Sequence, residues 1–229
     1  VELSKPTKRD IQYLKAKDEK VGYVDNASIV SFTDKLDPIR SDDVLYSTLF
    51  AQLVANRKYD PYKNRAEWLK YYVHVLKTIY WVVQSDAFLE YKTSDASFSV
   101  DKVFLELLAS IAVDPELSNL ISSTLNAFKN LPGDDNSVKL FYNSSQDGKN
   151  GNFQINPATQ DSHSNAVMAL GGMSFESSEH TSGFLFFKFS SKSTKLFYIV
   201  QKAVLINSGY ERIREKIKNK IAPYVDEKN

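Results

Sequence analysis

The sequence predicts an α+β fold: about four helices in the N-terminal half, packed on an antiparallel β-meander of four or five strands, followed by a C-terminal helix. Three observations carry this. Apolar residues recur at three- and four-residue steps over about 41–131. They recur at two-residue steps over about 137–206. A last segment, about 209–221, returns to helical spacing. Helices cluster first and strands second, which separates an α+β chain from an alternating α/β one. No internal repeat or low-complexity linker divides the 229 residues, so one compact domain over 1–229 is expected.

Residues 1–40 are mixed. "TKRDIQYLKAK" fits a short helix capped by Thr7, with Ile11 and Leu14 inward, and "ASIVSFT" fits a strand. Ser41 can cap the next helix, with Asp42 and Asp43 suited to the positive end of its dipole. Val44, Tyr46, Leu49, Phe50, Leu53 and Val54 form its stripe. Asp60-Pro61 is a second start signal. From there Trp68, Leu69, Tyr72, Val73, Leu76, Ile79, Tyr80 and Val83 keep helical spacing, predicting a helix of roughly 22 residues, ~33 Å long. It is apolar over more than half its circumference, which predicts a central helix. Val100, Val103, Phe104, Leu107, Leu108 and Ile111 mark a third helix. Asp114-Pro115-Glu116 opens a fourth, lined by Leu117, Leu120, Ile121, Leu125 and Phe128, which Leu131-Pro132-Gly133 ends.

Beyond Gly133, "SVKLFYNS", "NFQIN" (stopped by Pro157), "NAVMALGGMSF", "GFLFFKF" and "TKLFYIVQKAVLI" read as strands. The links "ESSEHTS" and "SSKST" are short enough for hairpins. The long strands are apolar on both faces, so layers on both sides are required. The helical half is expected on one face, the C-terminal helix and N-terminal segment on the other. Lys188 interrupts an apolar run and should sit near a strand end, its amine in water or on a carboxylate. Ser208 and Glu211 spell a capping box, and Tyr210, Ile213, Ile217 and Ile221 line the final helix up to Pro223.

Composition restricts the function. A formal net charge of +1 gives no global field to draw in nucleic acid or an anionic membrane, so electrostatic binding needs a local patch. No nucleic acid is expected as partner. The lack of cysteine removes disulfides, thiol nucleophiles and thiolate metal sites. No run of ~18 apolar residues predicts a membrane-spanning helix. "YYVHVLKTIYWVV" is broken by His74 and Lys77. No signal-peptide pattern opens the chain at Val1, and a leader removed before Val1 is compatible with that start. Two sequons, at Asn26 and Asn143, are close to chance in a Ser- and Asn-rich chain.

No nucleotide-binding, nucleophile-elbow or zinc-protease motif is present. Asp161 and His163 precede one long strand, and Glu176, Glu179 and His180 follow it. A strand of that length separates them by ~33 Å. No catalytic residue, metal or cofactor is therefore expected. A hydrolase built from those five residues is the second alternative.

Binding residues come from two segments. Trp68, Tyr72, Leu76 and Tyr80 mark the apolar helix. Arg212, Arg214, Lys216, Lys218 and Lys220 concentrate charge on the last helix, with only Glu211 and Glu215 against them. Tyr59, Tyr62 and Tyr71 with Lys58, Lys63, Arg65 and Lys70 add an aromatic-basic stretch suited to an interface. The expected function is a non-enzymatic binding protein of the secreted bacterial toxin or virulence-factor type, engaging membrane lipid, a fatty acid or a host receptor. Composition favours secretion over the cytoplasm. The alternative is an interaction protein working in an assembly.

Overall fold

Strands from both ends of the chain form one mixed sheet, with helices on both of its faces. The computed structural model describes residues 2–3, 11–16, 19–85, 87–111, 115–179 and 182–225. In chain order the elements are β1 (Ile11–Ala16), β2 (Glu19–Asp25), β3 (Ser28–Phe32), α1 (Pro38–Lys58), α2 (Arg65–Thr78), β4 (Trp81–Val83), β5 (Leu89–Glu90) and β6 (Ser97–Ser99). Then come α3 (Val100–Ser110), α4 (Pro115–Lys129), α5 (Asn136–Ser145), β7 (Gln146–Asp147), β8 (Asn150–Gln160), β9 (Ala166–Ser177), β10 (Lys188–Ser190) and β11 (Thr194–Leu205). Two short helices, α6 (Asn207–Tyr210) and α7 (Arg214–Ile221), and a 3-10 turn over Ala222–Tyr224 close the described chain. The α+β class is as expected.

The sheet order is β1-β2-β3-β8-β9-β11-β4, with β5 on β11 and β7 on β8, while β6 and β10 pair separately. It is not a meander of hairpins. β3 runs parallel to β8, Ile29 opposite Ile155. A parallel pair needs a crossover, and α1 through α5 lie within it. The N-terminal segment expected to be a helix is strand β1. Thr7 lies outside the described residues, as does Asp114.

The helices divide between the two faces. α1, α2 and α7 share one core with Met168, Leu170 and Ile199 of the sheet. α3, α4 and α5 share the other with Phe153, Ile155, Met173 and Phe175. Successive strand residues point to opposite faces, so Gly171 and Gly172 serve different layers. A Cβ on Gly171 would collide with the Phe104 ring of α3. One on Gly172 would lie 2.7 Å from Leu69 of α2. The glycine pair lets both layers approach β9 at one level.

Further expectations are corrected. α1 starts earlier, capped by Asp37, whose carboxylate accepts from the Arg40 amide at 3.0 Å, with Pro38 in its first turn. The central helix is α1, not α2: residues 47–55 are all buried. Its buried polar Ser47, Thr48 and Gln52 are satisfied internally. Thr48 donates to Asp25 at 2.7 Å, and Trp81 Nε1 donates to Ser47 at 3.0 Å. The helix read as running on to Val83 stops at Thr78. Asp60 caps only a turn, through the amides of Tyr62 and Lys63 at 2.9 Å. Tyr80 takes φ 74°, where a bulky residue ends a helix, and β4 begins. "SVKLFYNS" is α5, capped by Asp135. β8 continues through Pro157, which faces Ser31 of β3 while its ladder to β9 lapses there.

"GFLFFKF" is not one continuous strand. Gly183 takes φ 65°, which breaks an extended strand. Turn bonds follow, Phe186 N to Gly183 O at 3.1 Å and Phe187 N to Phe184 O at 3.3 Å. Phe184 and Leu185 enter the core from a turn, and only Lys188–Ser190 is strand. Lys188 opens β10 and is exposed, as its place in an apolar run requires. The capping box at Ser208 does not form either. The last helix is broken after Tyr210, and Glu211 ends α6.

Candidate functional site

The sequence-derived residues separate into buried and surface groups. Trp68, Tyr72 and Leu76 face the core, each 2% exposed or less. Trp68 stacks on Tyr72, ring centroids 5.3 Å apart, and donates Nε1 to Asn56 at 2.7 Å. Tyr80 is at the surface. Around it Val82 and Ile206 are also exposed. Strand pairing sets Val82 opposite Val204, and the Ile206 amide donates to Tyr80 O at 2.9 Å. The Tyr80 ring lies directly over Gly209, in the space a Cβ would need. Gly209 O accepts the Arg212 amide at 3.2 Å, so the apolar cluster is one turn from the first cation.

The basic helix is only partly basic at its surface. Arg214 turns inward, its Nε and Nη2 donating to the two oxygens of buried Asp43 at 2.7 and 2.8 Å. Lys218 is half-buried, 3.9 Å from Glu215. Arg212, in the turn before α7, is exposed, as are Lys216 and Lys220, which share one face of α7. Sequence alone does not separate Arg214 from its neighbours, because Asp43 is 171 positions away.

The aromatic-basic stretch keeps a surface component. Lys58 Nζ lies 4.0 Å from the centre of the Tyr71 ring, and Tyr59 meets Tyr71 edge-on. His74 is exposed and stacks on Tyr71 at 5.6 Å. Arg65 pairs with Glu176 at 2.9 Å.

The residues of the hydrolase alternative do not converge. Asp161 and His163 precede β9, and Glu176 and Glu179 are at its far end. Glu179 is occupied by the Ser193 hydroxyl and the Ser190 amide. Asp161 accepts from the amides of His163 and Asn165 at 2.9 and 2.8 Å. Burial raises its pKa, but these bonds outweigh that and hold the carboxyl below its ordinary value. His180 lies outside the described residues. Among those described, no group of three His, Asp or Glu side chains could hold a metal ion. Nor is any helix among them long and apolar enough to cross a membrane.

Open clefts of about 610, 630 and 740 Å³ cluster round the Thr194 end of β11, and α2 lines none of them. The first is lined by residues of "SSKST" and the start of "ESSEHTS", together with Tyr91, Lys92 and Lys149. The third adjoins it through Lys149 and Ser178. Lys149, Lys192 and Lys195 are functional candidates that the sequence does not single out.

Tyr62 ties the α1–α2 turn to the end of α5, its hydroxyl donating to Ser144 O at 2.8 Å. Burial, with Asp147 and Asp60 adding to it, pushes its pKa up to about 12. Tyr72, Tyr142 and Tyr210 are pushed up further, again chiefly by burial. A raised tyrosine pKa favours the folded state below the unfolded value of about 10, and that contribution is lost as pH rises toward 12. In an alkaline absorbance titration, these four of the 13 tyrosines should ionise only as helical circular dichroism is lost. All 13 titrating near pH 10 with the fold intact would contradict their burial.

No family model and no curated protein matches the chain. Several solved structures are similar, three of them as follows. One described as a delta-endotoxin is 15% identical, over 90% of this chain and 90% of that one, with a TM-score of 0.45. The Evf virulence factor is 11% identical over 88% and 81%, TM-score 0.37. The activated Cyt2Ba monomer from Bacillus thuringiensis subsp. israelensis is 14% identical over 76% and 94%, TM-score 0.40. With each TM-score below 0.5, these likenesses decide neither mechanism nor partner.

Proposed function

We propose that the protein is a non-enzymatic binding protein of the secreted toxin or virulence-factor type, and that it engages a membrane surface. One observation carries the reading: exposed Tyr80 lies over Gly209, one turn before exposed Arg212, and exposed Lys216 and Lys220 follow on α7, while Val82 and Ile206 add exposed apolar surface beside Tyr80 on β4 and at the end of β11. Apolar side chains beside cations suit the boundary between lipid headgroups and acyl chains. The cations draw the surface in, and the apolar cluster enters the boundary. Trp68, Tyr72 and Leu76 would meet lipid only if α2 lifted off the sheet.

Co-sedimentation with vesicles containing phosphatidylserine tests this. Each basic residue near an anionic surface contributes about 1 kcal/mol. Changing Arg212, Lys216 and Lys220 together to glutamine should weaken binding about a hundredfold. Ile206→Ser with Val82→Thr should weaken binding to neutral and anionic vesicles alike. Wild-type protein remaining in the supernatant with both vesicle types would reject the proposal.

A second reading, an interaction protein within an assembly, draws on β4. That strand ends the sheet order with Val82 exposed, an edge open to a further strand. Light scattering over a concentration series should then show mass rising above one chain, and a strict monomer would count against it.

A further inference from the structure

A second binding surface lies at the other end of β11. Sheet register sets Lys195 of β11 and Asn150 of β8 on either side of Glu176 in β9. Lys149, one residue before β8, therefore comes to the same rim, and Lys192 stands in the turn leading into β11. All three are exposed and line the cleft of about 610 Å³, and Lys149 also borders the neighbouring cleft. Among the described residues none of the three has a carboxylate within ion-pair distance. The carboxylates beside them are engaged elsewhere, Glu176 by Arg65 at 2.9 Å and Glu90 by Lys92 at 3.8 Å.

Two aromatic rings, Tyr91 and Phe98, line the same cleft. Tyr91, half-buried, meets buried Phe98 with ring centroids 5.8 Å apart. Both rings also line the adjoining cleft of about 630 Å³, so the groove continues past the first chamber. Ammonium groups without an ion-pair partner, in one cleft with a tyrosine ring, suit a multiply charged anion carried on a sugar. Lysines meet sulfates as point charges, and the C–H face of a pyranose packs on the tyrosine. The second chamber is lined by Lys102, Lys129 and Lys188 but also by Asp95, Asp101 and Glu106, so the sulfates belong in the first and the second has room for the rest of the chain.

We propose that this groove binds a sulfated oligosaccharide. The choice of glycan over lipid headgroup rests on the half-buried Tyr91 ring in the cleft, a face that a pyranose can pack on and a bare headgroup phosphate cannot use. β11 has 12 residues, so the groove is about 36 Å from the Tyr80 cluster, and the two surfaces can be varied separately.

Titration calorimetry with a heparin-type tetrasaccharide, its desulfated form and inositol hexakisphosphate tests the proposal. The sulfated sugar should bind and the desulfated one should not. Lys149→Gln, Lys192→Gln and Lys195→Gln combined should lower its affinity about tenfold, as three exposed charge contacts can. Glutamine at Arg212, Lys216 and Lys220 should leave it unchanged. Vesicle co-sedimentation of the groove variant, run in parallel, should match wild type, so failure of the membrane reading is seen separately. Three results would overturn the proposal: no binding of the sulfated sugar, equal losses in both triple variants, or tighter binding of inositol hexakisphosphate than of the sugar.

Discussion

Replacing Asp43 with alanine is expected to cost about 3 kcal/mol, near the lower end of the range for breaking a buried ion pair. Asp43 is 1% exposed and holds Arg214 through two bonds, with Arg40 Nη1 a further 3.7 Å from its carboxylate. Alanine leaves the Arg214 guanidinium, itself only 18% exposed, without its partner. The lower end applies because that cation can still turn toward water. The pair joins α1, the helix enclosed by sheet and neighbours, to α7, which also packs on it through Ile217 and Ile221. Urea unfolding should show a midpoint about 1 M lower at unchanged slope. The double variant Asp43→Leu with Arg214→Met removes both charges at once and should recover most of the loss. A single Asp43→Ala variant within about 0.5 kcal/mol of wild type, the usual range for surface changes, would show that the pair does not hold the C-terminal segment. The same variant bears on function, since α7 carries Lys216 and Lys220. A loosened α7 should weaken vesicle binding without touching the lysine groove.

What was legible in the sequence depended on how many structures one apolar pattern could serve. α3 and α4 present a single stripe to a single core, and their spacing names them directly. β9 and β11 are long enough that period two and length agree. "SVKLFYNS" is different: Val138, Leu140 and Tyr142 alternate, but Val138, Phe141 and Ser145 are the buried set, at helical spacing. Asp135 just before them is the cap that decides it. At the end of α2, Ile79, Tyr80 and Val83 satisfy a helical step by coincidence, and the turn at Tyr80 leaves no mark in composition. The parallel β3–β8 pair is invisible to local pattern because its partners are 126 positions apart. The sites follow the same rule. The cations after Tyr210 are local and were readable, less Arg214, whose partner is distant. Lys149, Lys192 and Lys195 become neighbours only through sheet register, so no spacing could assemble them. The loop that carries Lys192 was visible as a polar connection, but not the cleft it shares with the other two.

Phe184→Ala is expected to cost about 3–5 kcal/mol, the range for emptying a large aromatic site in a core. The ring is fully buried and stands among four others, with centroids 5.8 Å from Phe141, 5.3 Å from Tyr142, 4.9 Å from Phe153 and 4.9 Å from Phe175. Those rings come from α5, β8 and β9, so Phe184 joins the sheet to the helical layer, and no single neighbour can move to fill its place. Phe187→Ala is the paired measurement. Phe187 is 36% exposed and touches Phe189 at 4.9 Å, so its loss should cost below about 1 kcal/mol. The contrast separates two conformations of one apolar run. In an extended strand, Leu185, Phe187 and Phe189 would share a face and Phe187 would be as costly as Phe189. In the turn that Gly183 starts, Phe184, Leu185 and Phe189 are buried while Phe187 reaches solvent. Equal losses at Phe187 and Phe189 in thermal or urea unfolding would restore the strand. A loss confined to Phe184 and Phe189 would establish that this segment plugs the core from a loop, which leaves the β9–β11 end of the sheet open for the groove beside it.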